Sequence, residues 1–132
     1  MAVDELVTTT IERDTILAVL AELIPSLGAA WGPQLTGEHG AVSNIAVQEQ
    51  WQPQEFAVAS LIDHLVDEES RVDFRVSEWD YWLHDTSGVE TIKLCHESDL
   101  HFHLLEGPLR ARVLEILTAK GIQHYTRRAD KS

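Results

Sequence analysis

The stretch RVDFRVSEWDYWLHDTSGVETIKLCHESDLHFHL, residues 71–104, decides the fold class. Its apolar residues recur at every second position, the period of a strand with one buried face. Val72, Phe74 and Val76 share one parity, whereas Trp79, Tyr81 and Leu83 share the other. A phase flip inside one run requires a bulge or a break, which falls at Ser77-Glu78. Asp85-Thr86-Ser87-Gly88 is a turn signal, and Glu97-Ser98-Asp99 is a second one. The strands between and after them turn Ile92 and Leu94, then Leu100, Phe102 and Leu104, toward the interior.

Two hairpin registers follow. With a four-residue turn at Asp85 to Gly88, Tyr81 opposes Ile92 and Trp79 opposes Leu94. With the second turn at Glu97 to Asp99, Leu94 opposes Phe102 and Ile92 opposes Leu104. Both registers put the alternating apolar residues Tyr81, Leu83, Ile92, Leu94, Phe102 and Leu104 on the core face. The other face then carries the row Glu78, Cys95, His101 and the row Asp80, Lys93, His103, extended by Trp82, Thr91 and His84.

Helices flank this region. Gly107-Pro108 opens a helix carrying Leu109, Val113, Leu114, Ile116 and Leu117. Gly121 is placed to close it, with Ile122 making the apolar contact beyond, before a last strand Ile122–Arg127. Toward the N-terminus, Thr9 and Glu12 form a capping box ahead of Ile16, Leu20, Leu23, Ile24 and Leu27, which recur on one helical face. Pro25 should end or kink that helix near Ile24. Residues 28–40 read as a loop with Ala29, Ala30 and Trp31 packing back on the core, and Ala41–Trp51 reads as a strand. Pro53 suits the first position of another helix with the stripe Val58, Leu61, Ile62 and Leu65, ending in Asp67-Glu68-Glu69. The expected fold is α+β: a mostly antiparallel sheet of four to five strands with about three helices packed on one face. Residues 1–132 read as a single domain, with 1–8 and 128–132 as loose termini.

The chain of 132 residues is 44% apolar and contains four Trp, ample material for a core without covalent staples. Cys95 is the sole cysteine, so no internal disulfide can form, and a reducing cytoplasmic location is expected. The acidic start Met1-Ala2-Val3-Asp4-Glu5 lacks the basic segment of a secretory signal. The longest apolar run, Ile16 to Leu27, is interrupted by Glu22 and Pro25, so a membrane partner is not expected.

Charge is the most informative global property. Twenty-two acids face ten bases, a formal net charge of −12. Residues 1–70 hold twelve of the acids against Arg13 alone, or −11; residues 71–132 hold ten acids against nine bases, or −1. Such a distribution repels nucleic acid and steers basic proteins inward. The leading functional expectation is a non-catalytic acidic binding protein that inhibits or neutralises a basic protein partner, after the manner of an immunity protein or a phage-encoded inhibitor. Asp63, Asp67, Glu68, Glu69, Glu78 and Asp80 would meet the partner's Lys and Arg, with Trp82 as aromatic anchor.

The alternative expectation is a small metal-binding domain or metalloenzyme on the outer sheet face. Cys95, His101 and His103 are acceptable zinc ligands, and His-x-His on a strand turns both imidazoles to one side. A third expectation is a self-associating scaffold subunit. Other chemistry is not supported: Cys95 and His96 alternate faces, and Gly37-Glu38-His39-Gly40 lacks phosphate-loop spacing and a Lys.

Overall fold

The computed structural model of the chain describes residues 4–39, 53–71 and 75–128. Among them lie seven strands and three α-helices: β1 (Glu5–Thr8), α1 (Arg13–Trp31), β2 (Gln34–His39), β3 (Gln54–Ala57), a short 3₁₀ turn (Val58–Ser60), α2 (Leu61–Arg71), β4 (Tyr81–His84), β5 (Thr91–Leu94), β6 (Leu100–His103), α3 (Pro108–Ala119) and β7 (His124–Arg127). The strands form one sheet in the order β3-β2-β4-β5-β6-β1-β7. Every described pairing is antiparallel. The α+β class is as expected, but the sheet has seven strands rather than four to five.

The additional strands come from regions whose partners are distant in sequence. Glu5–Thr8, expected as a loose terminus, is an interior strand between β6 and β7. Gln34–His39, expected within a loop, joins β3 to β4. Pro53 precedes the edge strand β3 instead of starting a helix, because Phe56 lies opposite Leu35 and packs on the core from there. The expected strand Ala41–Trp51 lies outside the described residues.

α1 runs through Pro25 to Trp31 instead of stopping near Ile24. Proline removes the amide that would bond the Ala21 carbonyl, and both residues are exposed, so water can satisfy that carbonyl. By length and composition alone α1 could cross a membrane. Its Ile16, Val19, Leu20, Leu23, Leu27 and Trp31 are instead buried in the core. Ala29 and Ala30 are exposed. The capping box does not form: Glu12 precedes the helix without a side-chain cap, and Thr9 donates from N and Oγ1 to the Gln123 carbonyl.

α3 closes as expected. Gly121 has φ +68°, Ile122 N–H donates to Leu117 O at 2.9 Å, and Gly121 N–H donates to Thr118 O at 3.1 Å. This is the two-bond Schellman closure, with Ile122 delivered into the core. One apolar cluster unites Leu6, Leu35, Leu83, Ile92, Leu94 and Phe102 of the sheet with the inward stripes of all three described helices. The helices therefore share one sheet face. Alternation turns Trp82, Lys93 and His101 to the other.

Candidate functional site on the outer sheet face

Both hairpins keep the expected parity but are shifted by two residues. Tyr81 faces Leu94 and Leu83 faces Ile92; Ile92 faces Phe102 and Leu94 faces Leu100. The first shift comes from a six-residue loop, Asp85 to Glu90, in place of a four-residue turn. The Asp85 carboxylate accepts the Val89 and Glu90 amides at 2.9 and 3.2 Å and the Ser87 hydroxyl at 2.8 Å. In the second hairpin, Cys95 and Asp99 close a three-residue loop: Cys95 N–H donates to Asp99 O, Ser98 N–H donates to Cys95 O, and Ser98 takes φ +63°.

The outer face is rebuilt accordingly. One row reads Glu38, Trp82, Lys93, His101 and Val7, and the next reads Thr36, His84, Thr91 and His103. Trp82 is half-buried, with the Lys93 ammonium 4.8 Å from its ring centroid and His84 stacked in parallel beside it. His84 Nε2 meets Glu38 at 2.8 Å. Trp82, His84, Thr91, Lys93, His101 and His103 line a pocket of about 300 Å³.

Beyond this pocket, the end of the β5–β6 hairpin gathers a tighter group. The Cys95 thiol, an Asp99 carboxylate oxygen and a His101 ring nitrogen all lie within 4.8 Å of one another. Cys95 is buried, and burial, reinforced by the neighbouring Asp99 carboxylate, pushes its thiol up to about 11. His101 Nε2 is 3.3 Å from Asp99 Oδ2, in ion contact but without the alignment of a hydrogen bond. Asp99 Oδ1 and His101 Nε2 are both buried without a hydrogen-bond partner. On the ring's other side, Nδ1 lies 3.4 Å from Glu5 Oε1, and Arg127 donates to that same oxygen from Nε at 2.7 Å. Arg127 Nη2 also lies 3.3 Å from His101 Nδ1. A second group, Asp80, Cys95 and His96, adjoins the first through Cys95. There Asp80 accepts the His96 amide and faces its Nδ1, each at 2.8 Å. Burial opposes ionisation of Asp80, but the two bonds from His96 outweigh it and hold the carboxyl below its ordinary value.

Of the three residues expected to hold a metal, the structure joins Cys95 and His101 and leaves His103 in the neighbouring pocket. Asp99 takes the third place. Sequence reasoning passed over Asp99 and Glu5, although the spacing Cys95-x₃-Asp99-x-His101 is the signal a three-residue hairpin loop converts into one cluster.

The residues expected to face a basic partner divide. Asp63 and Asp67 are exposed on α2, four residues apart, and form no ion pair among the described residues. Glu78 is exposed in the turn before β4. Glu68 is instead 2% exposed, between His39 Nε2 at 2.9 Å and Arg71 Nε at 2.8 Å. Burial alone would raise its ionisation point, yet the His39 and Arg71 bonds outweigh that and lower it. Glu69 is bound by Arg13 of α1 and by the Val76 amide at 2.9 Å. Arg13 is the main reason the Glu69 carboxyl is held below its ordinary range. Trp82 and Asp80 face away from the helix layer that carries Asp63 and Asp67, so the seven residues do not form one patch.

Among the described residues, the fold and site define a helix-backed antiparallel sheet whose other face is largely polar and bears His84, His101 and His103. Compared with protein-family models, with curated proteins and with solved structures, the chain matches none.

Proposed function

We propose that the protein is a non-catalytic acidic binding protein that neutralises a basic protein partner, as an immunity protein or a phage-type inhibitor does, in a reducing cytoplasm. The observation that carries this reading is the concentration of charge: −11 within residues 1–70, where Glu12, Glu55, Asp63 and Asp67 are exposed and form no ion pair among the described residues, although Arg13 pairs with Asp14 and Lys120 with Glu22. The contact surface that fits best is on the helix side. Arg13 binds Glu69 and so ties the head of α1, with exposed Glu12, to α2, whose exposed Asp63 and Asp67 lie one turn apart. Such a surface accelerates encounter with Lys- and Arg-rich proteins, and its attraction weakens as salt shortens the screening length. Glu68 and Glu69 support this surface from within by fixing α2 and do not supply contact charge.

The test compares the wild-type chain with a double charge reversal, Asp63→Lys with Asp67→Lys, and with a control reversal at Glu106, which is exposed just before α3. Capture of a basic protein from the native host by wild type and by the control, weakened by salt and lost in the double reversal, is the expected result. Purified partner should lose its activity on adding wild type. Equal capture by all three chains, or no basic partner at low salt, overturns the reading.

A further inference from the structure

The geometry points to a divalent-metal site of the zinc class at the β5–β6 hairpin, formed by Cys95, Asp99 and His101. This site is independent of the acidic helix surface. Three observations carry it. The donor set combines a thiol, a carboxylate and an imidazole, the mixed soft and borderline ligands that suit Zn²⁺. The donor atoms already lie within 4.8 Å of one another, whereas ligands around a tetrahedral zinc sit roughly 3.5 Å apart. Side-chain rotation of about an ångström closes that gap on a hairpin whose backbone is fixed by the Cys95–Asp99 closing bond.

The second observation is the state of the polar atoms. Buried polar atoms without partners are uncommon in folded chains and call for an explanation. Two of the three such side-chain atoms among the described residues, Asp99 Oδ1 and His101 Nε2, belong to this cluster. A cation placed between them satisfies both.

The third is the arrangement behind the imidazole. Metal-bound histidines commonly donate their other ring N–H to a carboxylate, which fixes the tautomer and raises ligand basicity. Glu5 stands in that position at Nδ1, held by Arg127. A cation at Nε2 selects the tautomer with its proton on Nδ1, donated to Glu5, and Arg127 Nη2, now 3.3 Å from Nδ1, then bonds Glu5 alone. Glu5 belongs to β1, so the terminal strand couples the sheet to the site.

Binding proceeds without redox change. Zn²⁺ displaces the Cys95 thiol proton, which leaves to solvent, and the thiolate, the Asp99 carboxylate and the neutral imidazole bind the ion. Water completes the coordination.

Full-length protein purified without a tag is titrated with Zn²⁺ and, separately, with Co²⁺ as a spectroscopic stand-in. The expected result is one ion per chain, release of about one proton per zinc near neutral pH, a raised melting temperature, and a thiolate-to-cobalt charge-transfer band. Cys95→Ala and Asp99→Asn each abolish stoichiometric binding while circular dichroism confirms folding. Glu5→Gln weakens affinity by about 10- to 100-fold, and His103→Gln leaves it unchanged. Absence of the charge-transfer band in wild type overturns the site even if the variants misfold. So does unaltered binding in folded Cys95→Ala and Asp99→Asn, or loss of binding in His103→Gln.

Discussion

His39 and Glu68 meet at 2.9 Å across the gap between β2 and α2, with their side chains only 6% and 2% exposed. Arg71, one helical turn further on, completes the environment of the carboxylate. An acid that reads from sequence as surface charge is thus a buried cross-link between helix and sheet. Replacing it with Gln removes the charge but keeps the shape. Arg71 is partly solvated and the amide can still bond His39, so the expected loss is about 1–3 kcal/mol of stability. Chemical denaturation of Glu68→Gln checks this; a shift below measurement error would show that the contact contributes nothing net.

Stability should fall in acid in two stages. Burial beside Tyr81 and Phe56 holds His64 below its ordinary value of 6.5. The unfolded chain therefore takes up this proton first, and stability present above about 6.5 declines as pH drops below it. Glu68, Glu69 and Asp80 are all lowered by their bonded partners, so a steeper loss follows below about 4.5. Urea midpoints across this range give the profile, and His64→Gln should remove the first stage alone.

The alkaline limb has the opposite sign. Cys95 is raised from 9.0 to about 11, so the folded chain keeps its thiol proton longer than the unfolded one. The stabilisation is complete below about 9 and is lost as pH rises toward about 11. Ultraviolet titration of the thiolate in folded protein measures this directly. A midpoint near the ordinary thiol value would contradict the buried placement of Cys95.

Gly37 of β2 leaves room for the Tyr81 ring. A Cβ added there would run into the Tyr81 hydroxyl and ring and into the Phe56 ring. Tyr81 is 1% exposed and hydrogen-bonded to His64 at 2.8 Å, so it cannot move aside freely. Gly37→Ala should destabilise by about 1–3 kcal/mol through overpacking, read from thermal melting of the purified variant.

Gly121 tests the closure of α3. Its φ of +68° is strained for any side chain, while the space around it is open. Gly121→Ala should therefore lose about 1–2 kcal/mol from backbone conformation alone. Gly121→Asn should lose less, since Asn tolerates the left-handed region better. Equal losses in the two variants would point to a different cause.

The candidate site was half legible in advance. Alternation along 71–104 placed Cys95, His101, Trp82 and Lys93 on the outer face, and they are there. Which of them meet depended on register. Parity is a property of the strand, but register is a property of the loop: the first loop is two residues longer than the turn its sequence suggests, and the second keeps its length but sits one residue earlier. The Asp85 carboxylate wraps its own loop, and Ser98 adopts a conformation usually left to Gly or Asn. A shift of two residues exchanged His103 for Asp99.

Local sequence by itself determined the elements whose stabilising contacts are near in the chain: the face of α1, the stripe and glycine closure of α3, and the inward residues of the two hairpins. These rest on periodicity and on bonds spanning a few residues. Tertiary structure alone decided the places of β1, β2 and β3, whose hydrogen-bond partners are remote. It also decided the fates of Glu68 and Glu69, whose cations come from other elements or lie hidden in the same helix turn. A carboxylate carries the same letter whether it faces water or a guanidinium. Only the packing of α1, α2 and β2 around it selects the environment, and with it the difference between a charge offered to a partner and one spent holding the fold.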